Sequence, residues 1–201
     1  MKKLWPLLFI IISFNLSAAV KYLPGTYNVD PDHTRVGFTI QHFVISLVQG
    51  RFNDVKGTFT LAPKFADSTA EVVVQINSID TAVQKRDEDL RSKNFFDAAT
   101  YPTMTMKSIK FSGTPENFTL LADLTIKDVT KQVTFKGHYT GAMKDPWNND
   151  RVAVNMTGKV NRKDFHIDYN QQVSNGPGVG DIVNITVLAE GIKKSEDAVK
   201  K

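Results

Sequence analysis

Phe118-Thr119-Leu120-Leu121-Ala122-Asp123-Leu124-Thr125-Ile126 carries an apolar side chain at every second position: Phe118, Leu120, Ala122, Leu124 and Ile126. An extended chain turns successive side chains to opposite faces, whereas a helix would scatter these five around its circumference. The stretch therefore reads as a strand with one buried face. The same pattern runs outward from it. Downstream, Val133, Phe135, Gly137 and Tyr139 alternate with Thr134, Lys136, His138 and Thr140. Val152, Val154, Met156, Gly158 and Val160 follow, then Val183, Ile185, Val187, Ala189 and Gly191. Upstream, Val36, Phe38, Ile40 and His42 share one parity, as do Val72, Val74 and Ile76, while Phe52, Phe59 with Leu61, and Met104 with Met106 mark further strands. The apolar parity switches between Met106 and Ile109, which predicts a bulge near Lys107 or Ser108.

Eight or nine strands separated by short polar turns, such as Asp54-Val55-Lys56-Gly57 and Lys127-Asp128-Val129-Thr130, predict an all-β, antiparallel fold. Closing them into a barrel of about eight strands removes the exposed edges they would otherwise leave. One short helix is expected, from about Gln84 to Asn94. There Asp87 and Arg91 have i,i+4 spacing, and Val83 and Leu90 can face inward to cover the barrel. Small residues recur at inward positions, namely Ala122, Gly137, Gly158, Ala189 and Gly191. They leave room for an apolar lumen, and the glycines are equally accounted for as kinks needed for closure.

With 201 residues, 41% of them apolar and 23% charged, the chain is the size of one folded domain. The absence of cysteine excludes disulfides, a thiolate nucleophile and every thiolate metal site. The formal charge of +4 comes from the ends of the chain. Setting aside Lys2, Lys3, Lys193, Lys194, Lys200 and Lys201, with Glu196 and Asp197, leaves 19 basic and 19 acidic residues between Val20 and Ile192. Intermixed charges of zero sum do not make the basic face that nucleic acid requires.

Residues 1–19 read as a secretory leader: Lys2 and Lys3, an apolar stretch from Leu4 to Phe14, then Ser17-Ala18-Ala19 as a cleavage site. Asn15 and Ser17 close the apolar run short of the roughly 20 residues of a spanning helix. No later segment is apolar for long enough to cross a bilayer. The expected organisation is a leader over residues 1–19 cleaved after Ala19, a barrel domain over 20–192, and a basic, frayed tail over 193–201. The expected location is the periplasm.

The chain resembles the YceI-like family of periplasmic polyisoprenoid-binding proteins. The segments carrying the resemblance are His33-Thr34-Arg35-Val36-Gly37-Phe38-Thr39-Ile40-Gln41-His42 with Gly50-Arg51-Phe52, Lys85 through Asp97 leading to Tyr101-Pro102, and Asp123-Leu124-Thr125-Ile126 with Val129-Thr130-Lys131. Arg162-Lys163-Asp164-Phe165 and Gly180-Asp181-Ile182-Val183 complete it. The resemblance implies a lipocalin-like barrel whose elongated cavity holds the tail of a polyprenyl lipid or isoprenoid quinone, often in a homodimer. Two positions depart from the family pattern: Asp128 and His166 stand where glycine is common.

On this reading the lumen is lined by Phe38, Ile40, Leu120, Ala122, Leu124, Phe135, Val154, Met156, Ile185 and Val187, with Leu90, Phe95 and Phe96 partly closing it. His42, ending an inward stripe, is placed to meet a polar head group at one mouth, or else is a partly buried histidine satisfied by backbone. Arg86 and Arg91 could receive an anionic head, but alternating charge favours their pinning the helix to the barrel. The four histidines show no metal-binding spacing, so no metal or cofactor is expected. Gly176-Pro177-Gly178-Val179-Gly180 lacks the strand and helix of a phosphate loop and is expected to be a mobile surface loop. No nucleophile elbow, P-loop or dinucleotide fingerprint is present, and no catalytic residue is expected. Two alternatives stay open beside lipid carriage: an envelope stress or interaction protein with a solid barrel, and an enzyme acting on lipid head groups.

Overall fold

Burial alternates at every residue along β8 (Asn117–Ile126), and each partner strand repeats that inward face in register. The structure, a computed structural model, describes residues 21–173 and 176–195. The expected leader and the tail beyond Ser195 lie outside the described residues.

Every strand pairing is antiparallel. The chain forms β1 (Gly25–Val29), β2 (Arg35–His42), β3 (Ser46–Phe52), β4 (Val55–Leu61), β5 (Thr69–Gln75) and β6 (Ile79–Asp80). It continues through β7 (Thr103–Thr114), β8, β9 (Val129–Lys144), β10 (Asp150–Asn161), β11 (Gln172–Val173), β12 (Gly176–Pro177) and β13 (Val179–Lys193). Eight of them close a ring in the order β1, β4, β5, β7, β8, β9, β10, β13 and back to β1. The ring closes because β13 divides its length. Gly191 to Lys193 pair with β1, whereas Val179 to Leu188 pair with β2, which carries β3 and the short β6 outward.

Several turns are tighter than the sequence suggests. Val55 is 2% exposed and begins β4, so the turn is only Asn53-Asp54. The β8–β9 turn is Lys127-Asp128, with Lys127 at φ +57°. The bulge in β7 falls one residue later than expected, at Ile109, which slips between the pairs Ser108↔Ala122 and Lys110↔Leu121. Residues 176–180 are not a loose loop: β12 pairs with β11, Val179 and Gly180 open β13, and the Gly178 carbonyl accepts from the Phe43 amide.

Among the described residues, β3 is paired beyond β2 only at Arg51 and Phe52, where β6 meets it. The helix α1 (Gln84–Arg91) flanks β6 there. Eight residues are too few to hold a helix by propensity, and side-chain bonds to the preceding segment hold this one. The buried Asp87 carboxylate accepts from the Thr81 amide at 2.9 Å and its hydroxyl at 2.5 Å. Arg86 donates to the Thr81 hydroxyl and carbonyl, and Arg91 donates to the carbonyls of Asn77 and Ile79. The expected Asp87 to Arg91 pairing is absent because both side chains turn to the 77–81 segment, and that satisfies the groups burial would otherwise strand.

An apolar lumen behind a short helix

The inner faces of the strands enclose a cavity of about 770 Å³. Its two sides differ. Toward β8, side chains are close-packed: Leu120 is fully buried, Phe118 is 2% and Phe135 3% exposed, and the rings of Phe65, Phe111 and Phe118 meet edge-on or tilted at centroid distances of 5.3 to 5.7 Å. Toward β2 and β13, Phe38, Ile40, Ile185 and Val187 are only half-buried, because their inner ends face open lumen. Val154 and Met156 on β10 and Leu124 on β8 complete the wall between. Leu90, Phe95 and Phe96 line it from the helix side, with Phe96 set edge-on to Phe52 at 5.9 Å.

Ala122 is the exception among the residues expected in the wall. Its methyl group has the inward parity, but it has no exposure and takes no part in the cavity surface. The longer Leu120 and Leu124 form the wall on either side of it.

The inward glycines prove to be seats for aromatic rings. A Cβ on Gly137 would meet Phe118 at 2.6 Å, one on Gly158 would meet Phe135 at 2.7 Å, and one on Gly191 would meet Phe59 at 2.5 Å. Phe118↔Gly137 and Phe135↔Gly158 are direct cross-strand pairs, as is Phe38↔Gly50. Each ring lies over its glycine along the wall. These glycines therefore let the rings lie close to the wall, a role that neither an open lumen nor closure kinks describe. The sequence signal was present, a phenylalanine and a glycine at matched inward positions of neighbouring strands, but it needs the register to be read.

Near α1 a group of exposed lining residues marks the mouth: Phe43, Val83, Lys85, Asp89, Tyr169 and Gln171, with the half-buried His42 and Arg86 beside them. The His42 ring packs on Phe43 at 3.8 Å and makes no hydrogen bond among the described residues. Arg86 is spent on Thr81, as above. Arg162, 4% exposed, also reaches the lumen wall. It donates to the carbonyls of Gly180, Ile167 and Tyr169, and more distantly to Asp181 at 3.4 Å. Burial lowers its affinity for a proton, opposed by Asp181 and Asp168, and its bonds pin Ile167, Tyr169 and Gly180 together at this end. Away from the mouth, Tyr139 lines the lumen and Tyr22 packs edge-on against it at 5.4 Å; the hydroxyls of Tyr22, Tyr27 and Tyr139 donate to the carbonyls of Ala62, Leu23 and Lys21. Burial pushes all three phenols above their ordinary range.

Outside the lumen, ligand atoms of Asp30, His33 and Glu190 lie within 4.8 Å of one another. A guanidinium already occupies the centre of that group. Arg151 Nη1 is 2.5 Å from Asp30 and 2.6 Å from Glu190, and its Nε is 2.8 Å from Asp145. Burial opposes ionisation of Asp30 and Asp145. The Arg151 bonds, joined by His33 at Asp30 and by Asn149 at Asp145, outweigh burial and hold both carboxyls below the usual range. Nothing in the alternation pointed to this cluster, which joins residues from four separate segments.

The two departures from the family pattern meet each other. His166 takes the left-handed conformation, φ +54°, after the short 3₁₀ turn Arg162–Phe165, and its Nδ1 lies 3.3 Å from Asp128.

A ring of eight antiparallel strands around an apolar lumen, entered past one short helix, defines a lipocalin-like barrel. The profile of the YceI-like domain matches residues 27–190. The chain is 33% identical to Protein YceI of Escherichia coli over 196 residues, 96% of this chain and 98% of that protein. It belongs to the YceI-like family. Among solved structures, BcnA of Burkholderia cenocepacia superposes with a TM-score of 0.71 at 20% identity, covering 81% of this chain and 98% of that one. A polyisoprenoid binding domain from Saccharophagus degradans superposes with a TM-score of 0.64 at 15% identity, covering 84% and 98%. At these identities the likeness establishes the fold.

Proposed function

We propose that the chain is an exported carrier or reservoir that holds the tail of an isoprenoid lipid, a polyprenyl phosphate or isoprenoid quinone, in its lumen. The observation that carries this reading is the cavity itself: about 770 Å³ with an overwhelmingly apolar wall and a mouth marked by exposed side chains. An apolar space of this size is a binding site for an apolar ligand. The polyisoprenoid binding domain of like fold supports the choice of ligand class. The leader pattern of residues 1–19 supports a periplasmic location.

Each five-carbon isoprene unit buried gains roughly 4 kcal/mol against water, at about 0.8 kcal/mol per carbon. The competing home of such a tail is a bilayer, which is equally apolar, so transfer between the two is nearly balanced. Reversible carriage follows from that balance, with selectivity resting on tail length and on the polar groups at the mouth. His42, Lys85, Tyr169 and Gln171 carry the mouth's polar side-chain groups with no hydrogen bond or ion pair among the described residues. The test is organic extraction and mass spectrometry of protein isolated from its host envelope. An isoprenoid in stoichiometric amount is expected. Repeated absence of lipid, with no uptake of added polyprenyl phosphate or ubiquinone, would overturn the reading.

A further inference from the structure

The β2–β3 hairpin turns through Phe43-Val44-Ile45 and continues into Ser46-Leu47. Phe43 is 43% exposed, Val44 51%, Ile45 89% and Leu47 62%, which concentrates large apolar side chains on one projecting tip. Phe43 and Val44 are held at φ +50° and +65°, where glycine or asparagine is the usual occupant and a β-branched residue is strained. Solubility and backbone comfort would both favour a polar turn here. An apolar tip retained against both has something to bury itself in.

Three features identify the occupant as a lipid bilayer. Three polar backbone groups at the tip are satisfied internally: the Phe43 amide by the Gly178 carbonyl, the Val44 carbonyl by the Gln41 side chain, and the His42 carbonyl by the Ser46 hydroxyl. Each such bond lowers the cost of bringing the tip's backbone to the interfacial depth of a bilayer, where less water is at hand to replace a missing partner. No charged residue intervenes from Phe43 to Gly50. The tip is also continuous with the lumen, since Phe43 and Val48 belong to the cavity wall while Ile45 stands outside it.

We propose that this tip inserts into the surface of a bilayer and holds the mouth against it, so that a lipid tail passes between membrane and lumen without crossing water. The proposal rests on the reading that the lumen takes a lipid tail. Charges about the mouth are mixed, Lys85 with Asp89 and Lys163 paired to Asp181, so attachment is apolar rather than electrostatic.

Flotation with phosphatidylcholine vesicles tests it, using the parent chain, Ile45→Asp and the double variant Ile45→Asp/Leu47→Asp. Identical termini in all three make any contribution of residues 1–20 common to them. Farnesol binding in vesicle-free solution is measured in parallel. The expected result is flotation of the parent that changes little when phosphatidylglycerol or salt is added, about tenfold weaker flotation of Ile45→Asp, and unchanged farnesol affinity. A parent that binds farnesol but does not float, or floats no better than the double variant, would overturn the membrane tip and leave the carrier reading standing. A parent that floats but takes up no isoprenoid would overturn the carrier reading and leave the tip. A concentration-dependent dimer abolished by Ile45→Asp, without flotation, would assign the tip to a second copy of the chain and overturn the proposal.

Discussion

His42 stands at the mouth with its imidazole tilted against the Phe43 ring and otherwise unengaged, so replacing it removes one potential hydrogen bond to a head group and little packing. His42→Leu should therefore fold normally and bind polar-headed isoprenoids several-fold more weakly, a loss of about 0.5 to 1.5 kcal/mol. Tail-only analogues should bind as before; calorimetry on both classes checks the difference. Ala122 predicts the opposite kind of effect. It is fully buried in the wall between Leu120 and Leu124 and does not border the cavity, so Ala122→Phe should destabilise the ligand-free protein by roughly 1 to 3 kcal/mol in denaturant unfolding. Parity alone turns the residue toward the lumen, but parity gives the side a side chain faces, not how far the neighbouring side chains extend past it. His166 shows a related limit. Its αL backbone and its contact with Asp128 bring together two positions 38 apart, each of which looks like an isolated oddity in sequence.

Among the elements, α1 is held by its neighbours more than by itself, and Thr81 is the shared anchor: its hydroxyl donates to Asp87 and accepts from Arg86. Thr81→Val keeps the shape but leaves both partners short of a bond, at a cost of about 1 to 3 kcal/mol. Hydrogen exchange within Gln84–Arg91 should accelerate, and bound isoprenoid should leave faster, while exchange in β8 is unchanged; equal protection of α1 would show that the helix is held by other contacts. The strands were legible because half-buried walls write a two-residue period into the chain, as β8, β10 and β13 do. The β2–β3 turn was not. Phe43-Val44-Ile45 has no glycine, proline or asparagine to mark it, and its apolar run reads as strand. The helix was visible in outline, but its actual bonds go to Thr81, Asn77 and Ile79, and the spacing within the helix suggested a different pair.

For the whole molecule, Arg151 links the segment after β1 (Asp30), the β9–β10 turn (Asp145) and the end of β13 (Glu190), close to where the ring closes. Asp30 and Asp145 ionise more readily folded than unfolded, so their contribution is fully present above the ordinary carboxylate range near pH 4 and is lost as pH falls through the lowered values. Arg151→Met leaves three neighbouring carboxylates without their cation. Its thermal midpoint should fall furthest below the parent near neutral pH, and the gap should narrow below about pH 4 as protons replace the missing charge. A gap independent of pH would mean that packing, not charge, is what Arg151 supplies. The cavity's position was only partly foreseeable, since its bias toward β2 and β13 depends on ring orientation, and that depends on the glycine seats. Those seats also bear on how such a barrel could change over generations. Substituting a seat, for example Gly137 or Gly158, would push the opposing ring off the wall and into the bore. The width available to a guest can thus be altered by mutation at positions the guest never touches, and restored by trimming the ring across the strand. Relatives that accommodate thinner or thicker guests could then differ in matched pairs one strand apart, while the surface presented to the guest stays uniformly apolar.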